Sequence, residues 1–192
     1  MRPIGRSRTV IRSLNKMNAL AILKPIPVTQ ISVLLAEDHA NFRKSLKLLV
    51  EIDGDIKVVG QAKNGREAVQ LTLKLQPDVV IMDIAMPLLN GLQATRLIIE
   101  SSPATRVLIL SSHPDPEYIE QAMLYGASGY LIKQSSAPFI ADAIREVLKG
   151  KTFFSASISK RLCDESRKVF VKRELLKKKV LRPPLSGNNL KN

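Results

Sequence analysis

Pro77-Asp78-Val79-Val80-Ile81-Met82-Asp83-Ile84-Ala85-Met86-Pro87 is the stretch on which the fold of this 192-residue chain turns. The run from Val79 is apolar and β-prone and ends on the carboxylate of Asp83; Pro87, Asn90 and Gly91 then punctuate the chain. A strand buried on both faces reads as a continuous apolar run, and open α/β sheets place their chemistry at the carboxyl ends of their strands. Asp83 is thereby a candidate nucleophile or metal ligand, or simply an acid that caps a turn. The flanking sequence has to decide.

Upstream, Ile31 to Ala36 is a short apolar run closed by Glu37-Asp38-His39. Phe42, Leu46, Leu49 and Val50 then recur at helical spacing, with Arg43, Lys44 and Lys47 on the opposite face. Ile56 to Val59 reads as a second strand. Asn64-Gly65-Arg66-Glu67 has the form of a capping box and opens a helix carrying Ala68, Leu71 and Leu75. Downstream, a third helix from Gly91 to about Glu100 places Ala94, Leu97 and Ile98 on one face. Val107 to Leu110 is a fourth strand, closed by Ser111-Ser112-His113. Asp115-Pro116-Glu117 starts a fourth helix, with an N-cap, a proline at N1 and an acid near the positive end of the dipole. Gly129 to Ile132 is a fifth strand closed by Lys133, and Ile140, Ala143, Ile144, Val147 and Leu148 define a fifth helix that stops at Gly150.

Five strands alternating with five helices predict a doubly wound, flavodoxin-like (βα)5 fold: a parallel sheet of order 2-1-3-4-5 with helices on both faces. In that order strands 1 and 3 are neighbours, so Glu37, Asp38 and Asp83 converge at the switch point where such sheets bind ligands. Three acids so close repel one another unless a cation or protons compensate. A hard divalent ion such as Mg²⁺ suits them, since it needs one or two carboxylates plus waters and substrate oxygens. Ser111 and Lys133 end the next two strands with a hydroxyl and an ammonium. Taken singly they are ordinary polar strand ends; taken with the acids they describe a site for a transferred phosphoryl group. His39 and His113 flank the site and read as exposed loop histidines.

Residues 31 to about 152 resemble the receiver domain of two-component response regulators. The matching residues are Glu37-Asp38 after the first strand, Asp83 in D-I-A-M-P-L-L-N-G, Ser111 after the fourth strand, and Gly126-Ala127-Ser128-Gly129-Tyr130-Leu131-Ile132-Lys133. The L-L-A-E-D-H-A-N-F-R opening and the G-A-S-G-Y-L-I-K block are most similar to the NarL/FixJ subfamily. The resemblance implies that Asp83 accepts a phosphoryl group from a histidine kinase or phosphotransfer protein. It implies that Asp38, Asp83 and the backbone carbonyl of Ala85 bind Mg²⁺, with Glu37 acting through a bound water. Ser111 and Lys133 then contact the phosphoryl oxygens, and Ser111 and Tyr130 form the switch that re-packs the face of the fourth helix, fifth strand and fifth helix. Such a protein is a signalling switch rather than a metabolic enzyme. The chain departs from the family at Gln134, where a proline is frequent, and Ala85 is too apolar to orient an attacking water.

Charge divides the chain further. The formal net charge is +13. Residues 1–30 carry six basic side chains and no acid, residues 31–152 carry thirteen basic and fourteen acidic groups, and residues 153–192 carry eleven basic and three acidic groups. The expected organisation is a basic extension over 1–30, disordered or upstream of a later start at Met17, then a receiver domain over 31–152 and a basic helical linker and tail over 153–192. The subfamily normally continues into a LuxR-type helix-turn-helix domain. Lys172-Arg173-Glu174-Leu175-Leu176 resembles its beginning, and a helix from Ser155 to about Lys179 is expected before Pro183-Pro184, so a truncated or frame-shifted output domain is the expectation here.

Two other functional classes stay open. The basic tail, or a partner subunit, can contact nucleic acid through its phosphates without reading sequence. An aspartyl-nucleophile phosphatase is the third reading, weakened because the position two beyond the nucleophile is Ala85 rather than an acid. A P-loop enzyme is excluded, since no G-x-x-x-x-G-K-[ST] occurs. Cys163 is the single cysteine, which rules out an intramolecular disulfide and makes a reducing, cytoplasmic setting the expectation. No apolar run approaches the ~18–20 residues of a membrane span. A homodimer is left open.

Overall fold

A computed structural model describes residues 30–162. Six strands form one parallel sheet: β1 (Ile31–Ala36), β2 (Ile56–Ala62), β3 (Val79–Met82), β4 (Arg106–Ser111), β5 (Gly129–Ile132) and β6 (Phe153–Phe154), in the order β2-β1-β3-β4-β5-β6. Five helices connect them: α1 (Ala40–Val50), α2 (Gly65–Leu75), α3 (Gly91–Ser101), α4 (Pro116–Leu124) and α5 (Ile140–Leu148). The architecture is the flavodoxin-like one that the alternation predicts, extended by one strand.

Two cores explain why the sheet is buried on both sides. Alternate residues Leu34, Val80, Met82, Val107, Ile109 and Tyr130 face α2, α3 and α4. Their neighbours Val33, Leu35, Val79, Ile81, Leu108, Leu110 and Leu131 face α1 and α5. Because successive side chains point to opposite faces, a strand between two helical layers must be apolar throughout. Val79, Val80, Ile81 and Met82 are all at most 1% exposed.

Local chemistry sets the boundaries. Asn64 Oδ1 accepts from the Glu67 amide at 2.9 Å, and Glu67 Oε2 accepts from the Lys63 amide at 2.8 Å, so the box returns its second bond one residue before the cap. Asn90 caps α3 in the same way, accepting from the Gln93 amide at 2.8 Å. Asp115 occupies the N-cap of α4 but its side chain makes no capping bond. Arg145 on α5 binds Asp53, Asp55 and Asp142 at 2.7–3.0 Å, tying that helix to the α1–β2 connection. The hydrogen bond from Arg145 holds the Asp55 carboxyl below its ordinary value.

Several positions differ from the periodicity reading. Leu97 and Leu75 are 43% and 37% exposed, and Thr95 and Thr72 take the buried places on α3 and α2. Those threonines sit inside because each hydroxyl returns a 2.7 Å bond to the carbonyl four residues back. Arg43 does not point away from the sheet: its Nη1 donates to the Glu37 carbonyl at 2.6 Å and closes the β1–α1 turn.

The sheet also passes residue 152. Phe153 and Phe154 pair in parallel with Gly129 and Tyr130, and 156–162 begin the helix expected from Ser155. The rest of that helix, the LuxR-type fragment and the 1–29 extension lie outside the described residues.

Candidate functional site

The sheet register assembles the site. Met82 pairs with Ala36 on one side and Ile109 on the other, and Ser111 pairs with Ile132. The residues just beyond these pairs, Glu37, Asp83 and Lys133, therefore emerge along one carboxyl edge with Ser111 between the last two. A 2.9 Å bond from the Asp83 amide to the Ala36 carbonyl extends the β1–β3 ladder by one step and fixes where Asp83 begins its turn.

Lys133 Nζ lies 2.7 Å from Glu37 Oε2 and 3.0 Å from Asp83 Oδ2. Glu37 and Asp83 are 1% and 3% exposed, and the ammonium is 14% exposed. Buried carboxylates are costly without a partner, so this cation is what permits two of them to sit together. Phe42 on α1 places its ring centroid 5.0 Å from the same ammonium, a cation–π contact that limits its drift. Sequence periodicity identifies Phe42 only as a core position.

Asp38 stands at the rim, 28% exposed, with Oδ1 2.7 Å from His39 Nδ1. His39 also approaches Glu37 Oε1 to 3.2 Å while remaining 73% exposed. Glu37 Oε2 and Asp38 Oδ1 are buried atoms with no well-formed hydrogen bond, despite the nearby nitrogens. Ligand atoms of Glu37, Asp38 and His39 lie within 4.8 Å of one another, and the carboxylate oxygens among them are the donor type a hard cation takes. Ala85, two residues beyond Asp83, is exposed, and its carbonyl accepts no hydrogen bond among the described residues. The donor set expected for Mg²⁺ is thus compatible with the residues present.

The β3–α3 turn is shaped by a glycine. A Cβ on Gly91 would lie 1.9 Å from the Asp83 carbonyl oxygen, and the Gly91 amide donates to the Ile84 carbonyl at 2.9 Å. Gly65 opens α2 under the same turn, its amide donating to the Leu89 carbonyl at 3.1 Å. Both glycines are close-approach residues. Gly91 is visible in sequence as a turn breaker, but its contact with the Asp83 backbone is not.

Ser111 and Tyr130 are fully buried and joined to each other through His113 rather than to Asp83. Ser111 Oγ accepts from the His113 amide at 3.1 Å, and the Tyr130 hydroxyl donates to the His113 carbonyl at 2.6 Å. Burial raises the Tyr130 phenol above its ordinary value, with the Ser111 hydroxyl opposing. Beside the acids, a cavity of about 470 Å³ opens between Asn41, Phe42, Ser112, Lys133 and Gln134, giving access from solvent.

Residues 33–145 match the model of the response regulator receiver domain. The transcriptional regulatory protein DegU of Brevibacillus brevis is 35% identical over 140 residues, covering 73% of this chain and 59% of DegU. YvfU of Bacillus subtilis, a transcriptional regulatory protein by name, is 38% identical over 162 residues, covering 84% of this chain and 79% of YvfU. The chain thus spans about three fifths of the length of DegU and more of YvfU. Among solved structures, a LuxR-family two-component response regulator from Aurantimonas superposes with a TM-score of 0.69 at 31% identity, over 71% of this chain and 98% of that one. The signal receiver domain of NarL from Mycobacterium tuberculosis gives 0.61 at 33% identity, over 64% of this chain and 98% of that one.

Proposed function

The chain belongs to the response regulator receiver family, and from that premise we propose that it carries a phosphoryl group on Asp83, received from the phosphohistidine of a kinase or phosphotransfer protein. The observation behind this reading is the Glu37–Lys133–Asp83 cluster: two buried carboxylates held by one cation at the strand ends, with Glu37 and Lys133 lining a cavity that opens beside them.

An Asp83 carboxylate oxygen attacks phosphorus, the P–N bond to the donor imidazole breaks, and the imidazole leaves with a proton taken from solvent. Lys133, 3.0 Å from Asp83 Oδ2, holds the carboxylate in place for the incoming group, then pairs with a phosphoryl oxygen as charge moves outward. Ser111 supplies a hydroxyl to another oxygen when it turns from His113. Asp38, Asp83 and the Ala85 carbonyl are the groups that would hold Mg²⁺, with Glu37 reached through a water. Bound Mg²⁺ would neutralise phosphoryl charge during transfer. Phe42 and the Gly91 contact keep the cation and the acceptor in place. Hydrolysis returns the protein to its starting state, so it acts as a switch rather than a metabolic enzyme.

We take the receiver unit as 31–152 with β6 appended, and assign the protein to the cytoplasm, where phosphohistidine donors act. No helix among the described residues is long and apolar enough to cross a membrane. The names of DegU and YvfU favour a second element, an output in transcription. In this chain it would run through the eleven basic residues of 153–192, binding nucleic-acid phosphates without sequence preference, or through a partner subunit or homodimer.

Incubation with Mg²⁺ and a small acyl phosphate tests the acceptor reading by intact mass. A gain of one phosphoryl group, lost in Asp83→Asn, is expected; no gain in the unaltered protein would contradict it.

A further inference from the structure

The segment after α5 is built into the neighbourhood of the switch residues. Gly129 and Tyr130 of β5 pair with Phe153 and Phe154, and the Ser155 amide donates to the Tyr130 carbonyl at 3.2 Å. Gly129 makes that approach feasible, since a Cβ there would lie 2.5 Å from the Phe153 carbonyl oxygen. Beyond it, Ile158 is 1% exposed and lies in the same core as Tyr130, Ile119 and Ala122. Arg161 Nη1 then donates to the Pro114 carbonyl at 2.6 Å, reaching back to the β4–α4 connection.

That connection is held from both sides. Ser111 Oγ and the Tyr130 hydroxyl grip His113 from the sheet, and Arg161 grips Pro114 from the C-terminal segment. A movement of Ser111 toward a phosphoryl group would remove the acceptor of the His113 amide. The Pro114 carbonyl is the next one along the chain, and a hydrogen bond weakens steeply when its angle or length is disturbed. Among the described residues, 156–162 are docked by a buried Ile158, a partly buried Leu162 and Arg161, and a short segment so held belongs to the low-stability end of a fold, where small changes shift populations.

We propose that residues 153–162 form a latch seated on the α4 side of the receiver, and that phosphorylation of Asp83 unseats its helical part by displacing the His113-Pro114 connection. The latch is the route by which the receiver's state reaches the chain beyond residue 162. The release step rests on the acceptor reading; the seat itself rests on the contacts above.

Hydrogen exchange of the full chain, followed by mass spectrometry with and without Mg²⁺ and acyl phosphate, tests both parts. Intact mass from the same samples reports phosphorylation separately. In phosphorylated protein, amides of 156–162 are expected to exchange about tenfold faster, while those of the far edge strand β2 are unchanged. A sample that gains the phosphoryl mass with no change in 156–162 overturns the latch and leaves the acceptor reading intact. A sample with no mass gain overturns the acceptor reading, and the release step with it. Without phosphate, Arg161→Ala is expected to speed exchange in the same segment, and unchanged exchange there overturns the seat. Linkage adds an independent check: Arg161→Ala shifts the balance toward the unseated form, so it should accumulate more phosphorylated protein at equilibrium.

Discussion

Lys133 Nζ stands 3.0 Å from Asp83 Oδ2, reaching it across the end of β4 from the turn after β5. The same ammonium lies 2.7 Å from Glu37. Lys133→Met therefore leaves two buried carboxylates facing each other without a cation. Chemical denaturation at neutral pH should show a loss of about 3 kcal/mol. Phosphoryl uptake should slow at least about a hundredfold, since one charge-stabilising group is missing. Uptake at the normal rate would remove Lys133 from the mechanism.

Gly91→Ala tests the turn. The new methyl would fall 1.9 Å from a backbone oxygen of Asp83, and neither the strand end nor the start of α3 yields cheaply. A loss of about 3 kcal/mol is expected from the urea midpoint, with phosphoryl uptake reduced because Asp83 must shift. Gly54→Ala is the control. At φ 79° with open space around it, only the local backbone cost of about 1 kcal/mol applies, and uptake stays normal.

Metal binding should be visible without phosphate. At about a hundredfold excess over its dissociation constant, Mg²⁺ should stabilise the protein by about 2.7 kcal/mol. Asp38→Asn removes one of two neighbouring acids, Glu37 and Asp38, whose ligand atoms lie within 4.8 Å, so the metal-free variant should melt about 3 °C higher than the unaltered protein while its Mg²⁺ response disappears. An undiminished Mg²⁺ response in that variant would exclude Asp38 as a ligand.

Tyr130 gives an alkaline signature. Burial lifts its phenol above the ordinary tyrosine value. A group with a raised folded pKa contributes stability that is complete below the unfolded value and is lost as pH rises through the folded one. Phenolate absorbance should therefore show Tyr130 ionising late, above the ordinary tyrosine value, with stability falling over the same range above pH ~10. Tyr130→Phe should abolish both the late step and that fall. A Tyr130 step at the ordinary tyrosine value would contradict the burial argument.

Much of this architecture is legible in the sequence. Alternation of apolar runs with helical spacing yields the sheet order, because parallel strands between helices leave few topologies. Polar residues closing those runs mark the site, since Glu37, Asp83, Ser111 and Lys133 each close a buried strand. Contacts that depend on side-chain path are not legible. Arg43 turns back onto the Glu37 carbonyl, and Leu97 yields its inward place to Thr95, whose hydroxyl is satisfied within its own helix. Strand β6 is only Phe153 and Phe154, too short to show a period, and it forms because Gly129 admits a neighbouring backbone. The reach of Arg161 to Pro114 is a tertiary contact with no local signature.

Residence of the phosphoryl group on Asp83 can be read out by chemical trapping. Borohydride reduces an aspartyl phosphate to homoserine, leaving free carboxylates untouched, so the altered residue can be located by peptide mass after phosphorylation. Homoserine is expected at position 83, dependent on Mg²⁺ and absent without the phosphoryl donor. Homoserine at another aspartate, or none in protein that has gained the phosphoryl mass, would contradict it.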